Sequence, residues 1–297
     1  MNSDSAYRVD LLTHGQAFER LAARPAVILP LGGCEPFGGA GPIGVETLCA
    51  ARISDELSVR CRVLAAPPLP FGCSTPFISF HGASGVKPRT FINMLCDIIH
   101  AYALQGAARV FLVNAAPFNK TPALEAAKRI EKKYGGVKVF VFDVNTLAGT
   151  VNNTGGVDNV NAVNNSRNNK DNTDYRADRA DAALLAIAAY LGQEPVNVDT
   201  SVIDKSGINP TGRKSVTADQ YRAWKKRGAD PQKLRKLFPE GLLLPSDGGG
   251  LIDITPQRGK ELFDRVAGFM QERIEDALTA TIPAPCSPPN RRPSPQA

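Results

Sequence analysis

The chain has 297 residues, 43% of them hydrophobic, with 26 glycines, 23 prolines and a formal net charge of +6. These values are ordinary for a soluble α/β protein with a sizeable core, arranged as one large domain or two. No stretch reaches the roughly 18 apolar residues that a membrane helix needs. The opening MNSDSAYRVD has neither the basic start nor the apolar centre of a secretory signal, so the expectation is a cytoplasmic protein.

Residues 7 to 24 read as a strand or turn followed by a short helix, with Ala17, Phe18 and Leu21 apolar, and are expected to pack against the edge of a sheet. Val27, Ile28, Leu29 and Leu31 then form a run suited to a strand covered on both faces. The run breaks into a glycine-rich turn, Gly32-Gly33 through Gly44, that holds two acidic residues, Glu35 and Glu46. Glycines there let the backbone turn tightly and approach a ligand. Thr47 to Leu57 has a helical pattern, and Arg60 to Leu64 alternates as a second strand before the turn Pro67-Pro68-Leu69-Pro70.

Pro88 to Ala107 predicts an amphipathic helix, with proline near its start, Phe91, Leu95, Ile98, Ile99 and Tyr102 at helical spacing and Gly106 near its end. A strand follows over Arg109 to Val113, then a helix over Thr121 to Tyr134 and a strand over Val137 to Val141. Alternating strands and helices with short connections predict a mostly parallel sheet with helices on both faces, a three-layer α/β domain. In such sheets, functional groups at the strand carboxyl ends converge on one crevice. Glu35, the loop around His81 and Asn114 all fall at such ends.

The segment 145–174 is polar, and roughly a third of it is asparagine, so it reads as an insert that is either disordered or a functional loop. An alanine-rich helix follows within TDYRADRADAALLAIAAYLG. Residues 213 to 236 carry nine Lys or Arg against Asp219 and Asp230, interleaved with Tyr221 and Trp224. That is compatible with nucleic-acid binding or with a solvated helix face, and no known nucleic-acid module accompanies it. Residues 281–297 form a proline-rich tail expected to be disordered.

Six cysteines, Cys34, Cys49, Cys61, Cys73, Cys96 and Cys286, show no CxxC pair and no zinc-finger spacing, which points to reduced and mostly buried thiols. Cys34 lies beside Glu35, but no histidine stands near it in sequence to lower its pKa. Of three histidines, His14 and His100 read as ordinary surface or helix residues. His81 is open to two readings, a loop residue or a single ligand or base near the crevice, where a metal would need three or four ligands.

Gly32 to Gly38 and the run Gly44-Val45-Glu46-Thr47 resemble the first signature of the creatininase family of amidohydrolases, Gly-x-x-Glu-x-His-Gly-Pro followed by Gly-Thr-Asp-Thr. The family's three metal ligands there, Glu, His and Asp, fall on Glu35, Phe37 and Glu46. Phe80, Gly82 and Pro88 match a second signature, with His81 where the family has proline. Asn114 through Asn119 stands at Asn-Gly-His-x-x-Asn, with both asparagines kept and Ala116 at the histidine. Phe118 occupies the place of a glutamate that is a ligand in some members. A later motif, His-Ala-x-x-x-Glu-Thr-Ser, puts Arg176 at its proton-transfer histidine and Asp181 at its glutamate. Pro245 to Ile274 resembles the closing segment, with Gly259, Leu262, Phe263, Val266 and Phe269 on a helix that packs back on the sheet.

The resemblance runs from about residue 25 to about 276, in a creatininase-like domain set at 25–280 after an N-terminal strand and helix at 1–24. It implies hydrolysis or formation of C–N bonds in cyclic or linear amides by a metal-activated water. It also implies assembly as a homo-oligomer, a hexamer in the family, or with an active paralogue. Because the imidazoles are replaced, the sequence reading is a catalytically lapsed pseudo-amidohydrolase without a cofactor, acting in small-molecule binding or assembly. The alternative is an amidohydrolase in which Glu35, Glu46 and Asp181 hold a divalent metal (Mn, Mg or Zn), with His81 as a further ligand and Arg176 fixing a substrate carboxylate, so that Arg176, Asp181 and His81 are the candidate catalytic residues; a minor alternative is an RNA-binding or structural protein. In either case the crevice is expected to include Asn114, Ala116, Phe118, Asn119 and Phe37.

Overall fold

A computed structural model describes residues 6–37, 41–151, 177–192, 230–237 and 254–281. Four parallel strands form its sheet: β1 (Ala26–Leu31), β2 (Leu64–Ala65), β3 (Arg109–Asn114) and β4 (Lys138–Asp143), in the order β2-β1-β3-β4. Every residue of β1 and β3 is buried, as expected of parallel strands covered on both sides. The register aligns Leu31, Asn114 and Asp143 in one row at the carboxyl edge.

Side chains alternate between two cores, as the pleat requires. Val27, Leu29, Leu31, Val110, Leu112, Val139 and Val141 face α3 (Pro88–Leu104) and α4 (Lys120–Tyr134), which supply Phe91, Leu95, Ile99, Ala126 and Ile130. Leu21 of α1 (His14–Ala23) joins the same core. Ile28, Phe111, Val113 and Phe142 face the opposite layer, made of α2 (Val45–Cys61), α5 (Val144–Val151), α6 (Ala177–Leu191) and α8 (Pro256–Thr279). A short helix, α7 (Pro231–Leu237), lies apart in sequence between α6 and α8. The three-layer α/β arrangement read from the sequence is the one found.

The N-terminal segment joins the sheet edge. Arg8 bridges Ala65 in parallel, Ala65 N donates to Tyr7 O at 2.9 Å, and Thr13 and Gln16 form a capping box that starts α1. Two boundaries differ from expectation. Arg60 and Cys61 do not begin a strand but complete α2, which ends where Arg62 adopts a left-handed φ of 55°; β2 is reduced to Leu64 and Ala65. The polar segment from Asn145 starts as helix, because Asp143 Oδ1 accepts from Thr146 N at 2.8 Å and caps α5. The rest of that insert from 152 to 174, the basic stretch before residue 230, Cys286 and the tail beyond 281 lie outside the described residues. Among the described residues no helix is long and apolar enough to cross a membrane.

Candidate functional site at the strand carboxyl ends

The chain leaves β1 through Gly32 and Gly33, where several segments meet. Asn119 Nδ2 donates to Gly32 O at 2.8 Å while its Oδ1 accepts from Cys73 N at 2.7 Å, so one buried amide ties the loop at 73 to the end of β1. Thr47 Oγ1 donates to Gly33 O at 3.0 Å. A Cβ added to Gly33 would fall on the Glu46 carboxylate and lie 3.3 Å from both Ala116 Cβ and Ser74 Oγ. Glycine is required here by the close approach of these groups rather than by a turn.

Two carboxylates flank this point. Ser74 Oγ donates to Glu35 Oε1 at 2.9 Å, and both residues are buried. Glu46, 1% exposed, lies in the first turn of α2, where the unpaired N–H groups and the helix dipole favour negative charge. Both carboxylates act on neighbouring thiols. Burial, with the charge of Glu35 added, pushes the Cys73 thiol up to about 12 from an ordinary 9.0. Burial and Glu46 push the Cys49 thiol upward as well. These thiols stay protonated and inert near neutral pH. The Cys34 thiol donates to Pro70 O at 3.3 Å, and all five described cysteines are free.

On the β3 and β4 side the groups are amides. Asn114 Nδ2 donates to Asp143 Oδ2 and to Ala116 O, both at 3.0 Å, and Asn114 Oδ1 accepts from Ala116 N at 3.3 Å. Asp143 Oδ1 accepts from Thr146 Oγ1 at 2.6 Å, and that hydroxyl accepts from Lys120 Nζ at 2.8 Å. Asn145 Nδ2 donates to Ala115 O at 2.7 Å. These bonds fix the backbone just beyond the row formed by Leu31, Asn114 and Asp143.

Of the sequence-predicted site residues, Glu35, Glu46, Asn114, Ala116 and Asn119 are brought to the strand ends around Gly32 and Gly33. Three others are placed differently. His81 is exposed, with its Nε2 at 2.6 Å from Arg235 Nη2 on α7. Phe37 is 3% exposed and packs into the core beneath α2, α5, α6 and α8, since an aromatic ring gains more from burial than from lining a polar crevice. Phe118 meets Phe77 edge-on, with centroids 5.6 Å apart, on the side of α3 and α4. Arg176 lies outside the described residues, as does the side chain of Asp181, whose backbone belongs to α6. Ser74, Thr47 and Asn145 were not singled out from sequence. The signals for them were small: a Gly-Cys-Ser turn ahead of a proline, and an Asp one strand-length after Lys138 that opens a helix.

A borderline divalent metal is held by three or four nitrogen, sulfur or carboxylate donors. Among the described residues no three His, Cys, Asp or Glu side chains come together in that way. The chain's three imidazoles are all spent elsewhere, with His14 opening α1, His81 on Arg235, and His100 stacked on Tyr134 at 4.4 Å. Two carboxylates and a serine hydroxyl do not fit a metal centre built on imidazoles.

The family model for creatininase (creatinine amidohydrolase) matches residues 10–274. The chain resembles 3-dehydro-scyllo-inosose hydrolase from Thermotoga maritima at 28% identity over 105 residues, which are 35% of this chain and 33% of that protein. The match thus spans about a third of that relative's length. Among solved structures, a mutant creatininase complexed with creatine superposes with a TM-score of 0.65 at 17% identity, covering 93% of this chain and 100% of the other. A crystal structure of creatinine amidohydrolase gives 0.64 at 16% identity over 93% and 99% of the two chains. At such identities the structures establish the creatininase-like fold alone. With the family model covering most of its length, the chain belongs to the creatininase (creatinine amidohydrolase) family.

Proposed function

We propose that this protein is a lapsed amidohydrolase that keeps the creatininase scaffold to bind a small nitrogen-containing molecule in the strand-end crevice. The observation that carries this reading is the fate of the positions aligned with the family's imidazoles. Phe37 is packed into the core, and Ala116 is fully buried with its methyl group over Gly33. A hydrolytic centre of the family kind must lower the pKa of a bound water from 15.7 toward about 7, and that takes a firmly held cation. Carbon now fills the places from which the ligating nitrogens would come. The strand ends keep the buried amides of Asn114 and Asn119, which suits binding without turnover.

A second reading is favoured by one feature. Glu35 and Glu46 remain buried at the same strand ends beside Ser74, and with Asp181 they would form an all-oxygen set suited to Mg²⁺ or Mn²⁺. Hydrolysis assays on creatinine, lactams, cyclic ureas and small amides, with and without added manganese, separate the two. The lapsed reading expects no turnover from folded protein. Manganese-dependent hydrolysis that disappears in Glu35→Gln would establish the second.

The same proposal includes assembly as a homo-oligomer or with an active paralogue, in the cytoplasm, where the free thiols of the described cysteines are kept reduced. Light scattering on the intact protein and on a form lacking residues 150–172 tests it. A monomer in both cases at micromolar concentration would remove its support.

A further inference from the structure

One buried acceptor near the crevice is held in place without a partner of its own. Asn145 Nδ2 donates to the carbonyl oxygen of Ala115, the residue between Asn114 at the end of β3 and Ala116, whose methyl group approaches Gly33. That bond holds Asn145, in the first turn of α5, at the carboxyl end of β3. Asn145 is 7% exposed.

Several interactions fix its carboxamide. Asp143 caps α5 through Thr146, setting the backbone on either side of Asn145, and Asp143 is itself held by Asn114 Nδ2 at 3.0 Å. The side-chain Nδ2 donates to Ala115 O at 2.7 Å, which settles the amide orientation, since a flip would set two acceptors against each other. Asn145 Oδ1 is then left buried with no hydrogen-bond partner among the described residues. Buried polar atoms are nearly always paired, and an exception calls for a missing donor. Ser54 and His100 carry similar orphans, but Ser54 lies on α2 away from the strand ends and His100 stacks on Tyr134 beyond the opposite face.

We propose that Asn145 is a recognition residue of the crevice, its Oδ1 accepting a hydrogen bond from an N–H group of the bound small molecule. This rests on the crevice being a ligand site, as argued above, and adds a residue and a chemical requirement to it. An acceptor whose orientation is prepaid by other bonds loses little on binding. A ligand lacking the N–H would leave the oxygen buried and unpaired, which is how sites built to hydrogen-bond a group reject its analogue.

The probes are 2-pyrrolidinone, which carries a lactam N–H, and N-methyl-2-pyrrolidinone, which does not, with binding to the full chain followed by saturation-transfer NMR titration. The unmodified protein is expected to favour the N–H lactam by about tenfold or more. In Asn145→Leu, with folding checked by circular dichroism, the preference should fall to near unity. Equal binding of the two lactams, binding of neither, or a preference that survives in Asn145→Leu overturns the proposal, the last because it would be steric. A crystal structure in which a resident water stays on Oδ1 in the presence of the N–H lactam overturns it too. Turnover in the hydrolysis assays would refute the lapsed reading while leaving the N–H preference standing, so the two failures are distinguishable.

Discussion

Two glycines in one helix should respond to the same substitution with opposite signs. Gly259 and Gly268 both lie within α8, and alanine at either should gain up to about 1 kcal/mol from helix propensity. At Gly268 a new Cβ meets nothing within 4 Å, so the gain stands. At Gly259 the Cβ would run into the Ala186 carbonyl, 2.5 Å from its carbon, and lie 2.8 Å from Tyr190 Cβ. That obstacle is backbone of α6, which cannot rotate away, so α6 and α8 must separate. Overpacking of this kind costs about 1–3 kcal/mol and often more when backbone must move. The clash therefore outweighs the propensity gain, and Gly259→Ala should lose about 1–2 kcal/mol net. At roughly 2–4 °C per kcal/mol for a chain of this size class, Tm should fall by several degrees for Gly259→Ala and rise by up to about 4 °C for Gly268→Ala. Thermal unfolding followed by circular dichroism measures both. Equal shifts for the two variants, or a gain at Gly259, would refute the close approach of α6 and α8.

Arg109, at the start of β3, donates from Nε to Ala277 O at 2.6 Å and from Nη2 to Ala280 O, closing the end of α8. Arg109→Met should destabilise by about 2–3 kcal/mol in a urea titration, since bonds from a charged donor are worth about 1.5–3 kcal/mol each and water can replace only the exposed one. Lys138→Met, at an exposed neighbouring position in the register, should change little. Asn119→Ala orphans Cys73 N and Gly32 O together and should cost about 2–5 kcal/mol by the same assay. Alkaline pH should weaken the fold through its buried thiols. Cys61 and Cys73 are pushed to about 12 from 9.0, and Cys49 is raised too. The unfolded chain therefore releases these protons from pH 9 upward while the folded chain keeps them, so stability is full below 9 and declines toward 12, by about 1.4 kcal/mol per pH unit for each thiol. Cys73→Ala should flatten that decline between about pH 9 and 10.5 by roughly a third.

The sheet was legible because its strands obey one rule. Ile28 and Val27 point to opposite cores and both are buried, so an unbroken apolar run was enough to mark β1. The end of α2 was less so, because Arg60, Cys61, Arg62 and Val63 alternate like a strand while Cys61 is in fact the last buried turn of a helix. Asn145 looked like the start of a loop, for asparagine is a weak helix former; Asp143 as a cap overrode that preference. At the site, Glu35 and Glu46 could be found from the glycine loop that holds them, but not Ser74, whose contact with Glu35 is made across 39 residues of sequence. His81 is open to two readings in the sequence because proximity to a loop signature does not say which way a side chain faces. In the fold it turns out toward Arg235.

Counting metal ions shows whether the amidohydrolase centre has lapsed. Protein purified without chelators, then dialysed against zinc or manganese and back into metal-free buffer, is analysed by inductively coupled plasma mass spectrometry. Two carboxylates without an imidazole should hold well short of one ion per chain. Near-stoichiometric zinc or manganese that is lost in Glu35→Gln would mean that a metal centre persists at the strand ends.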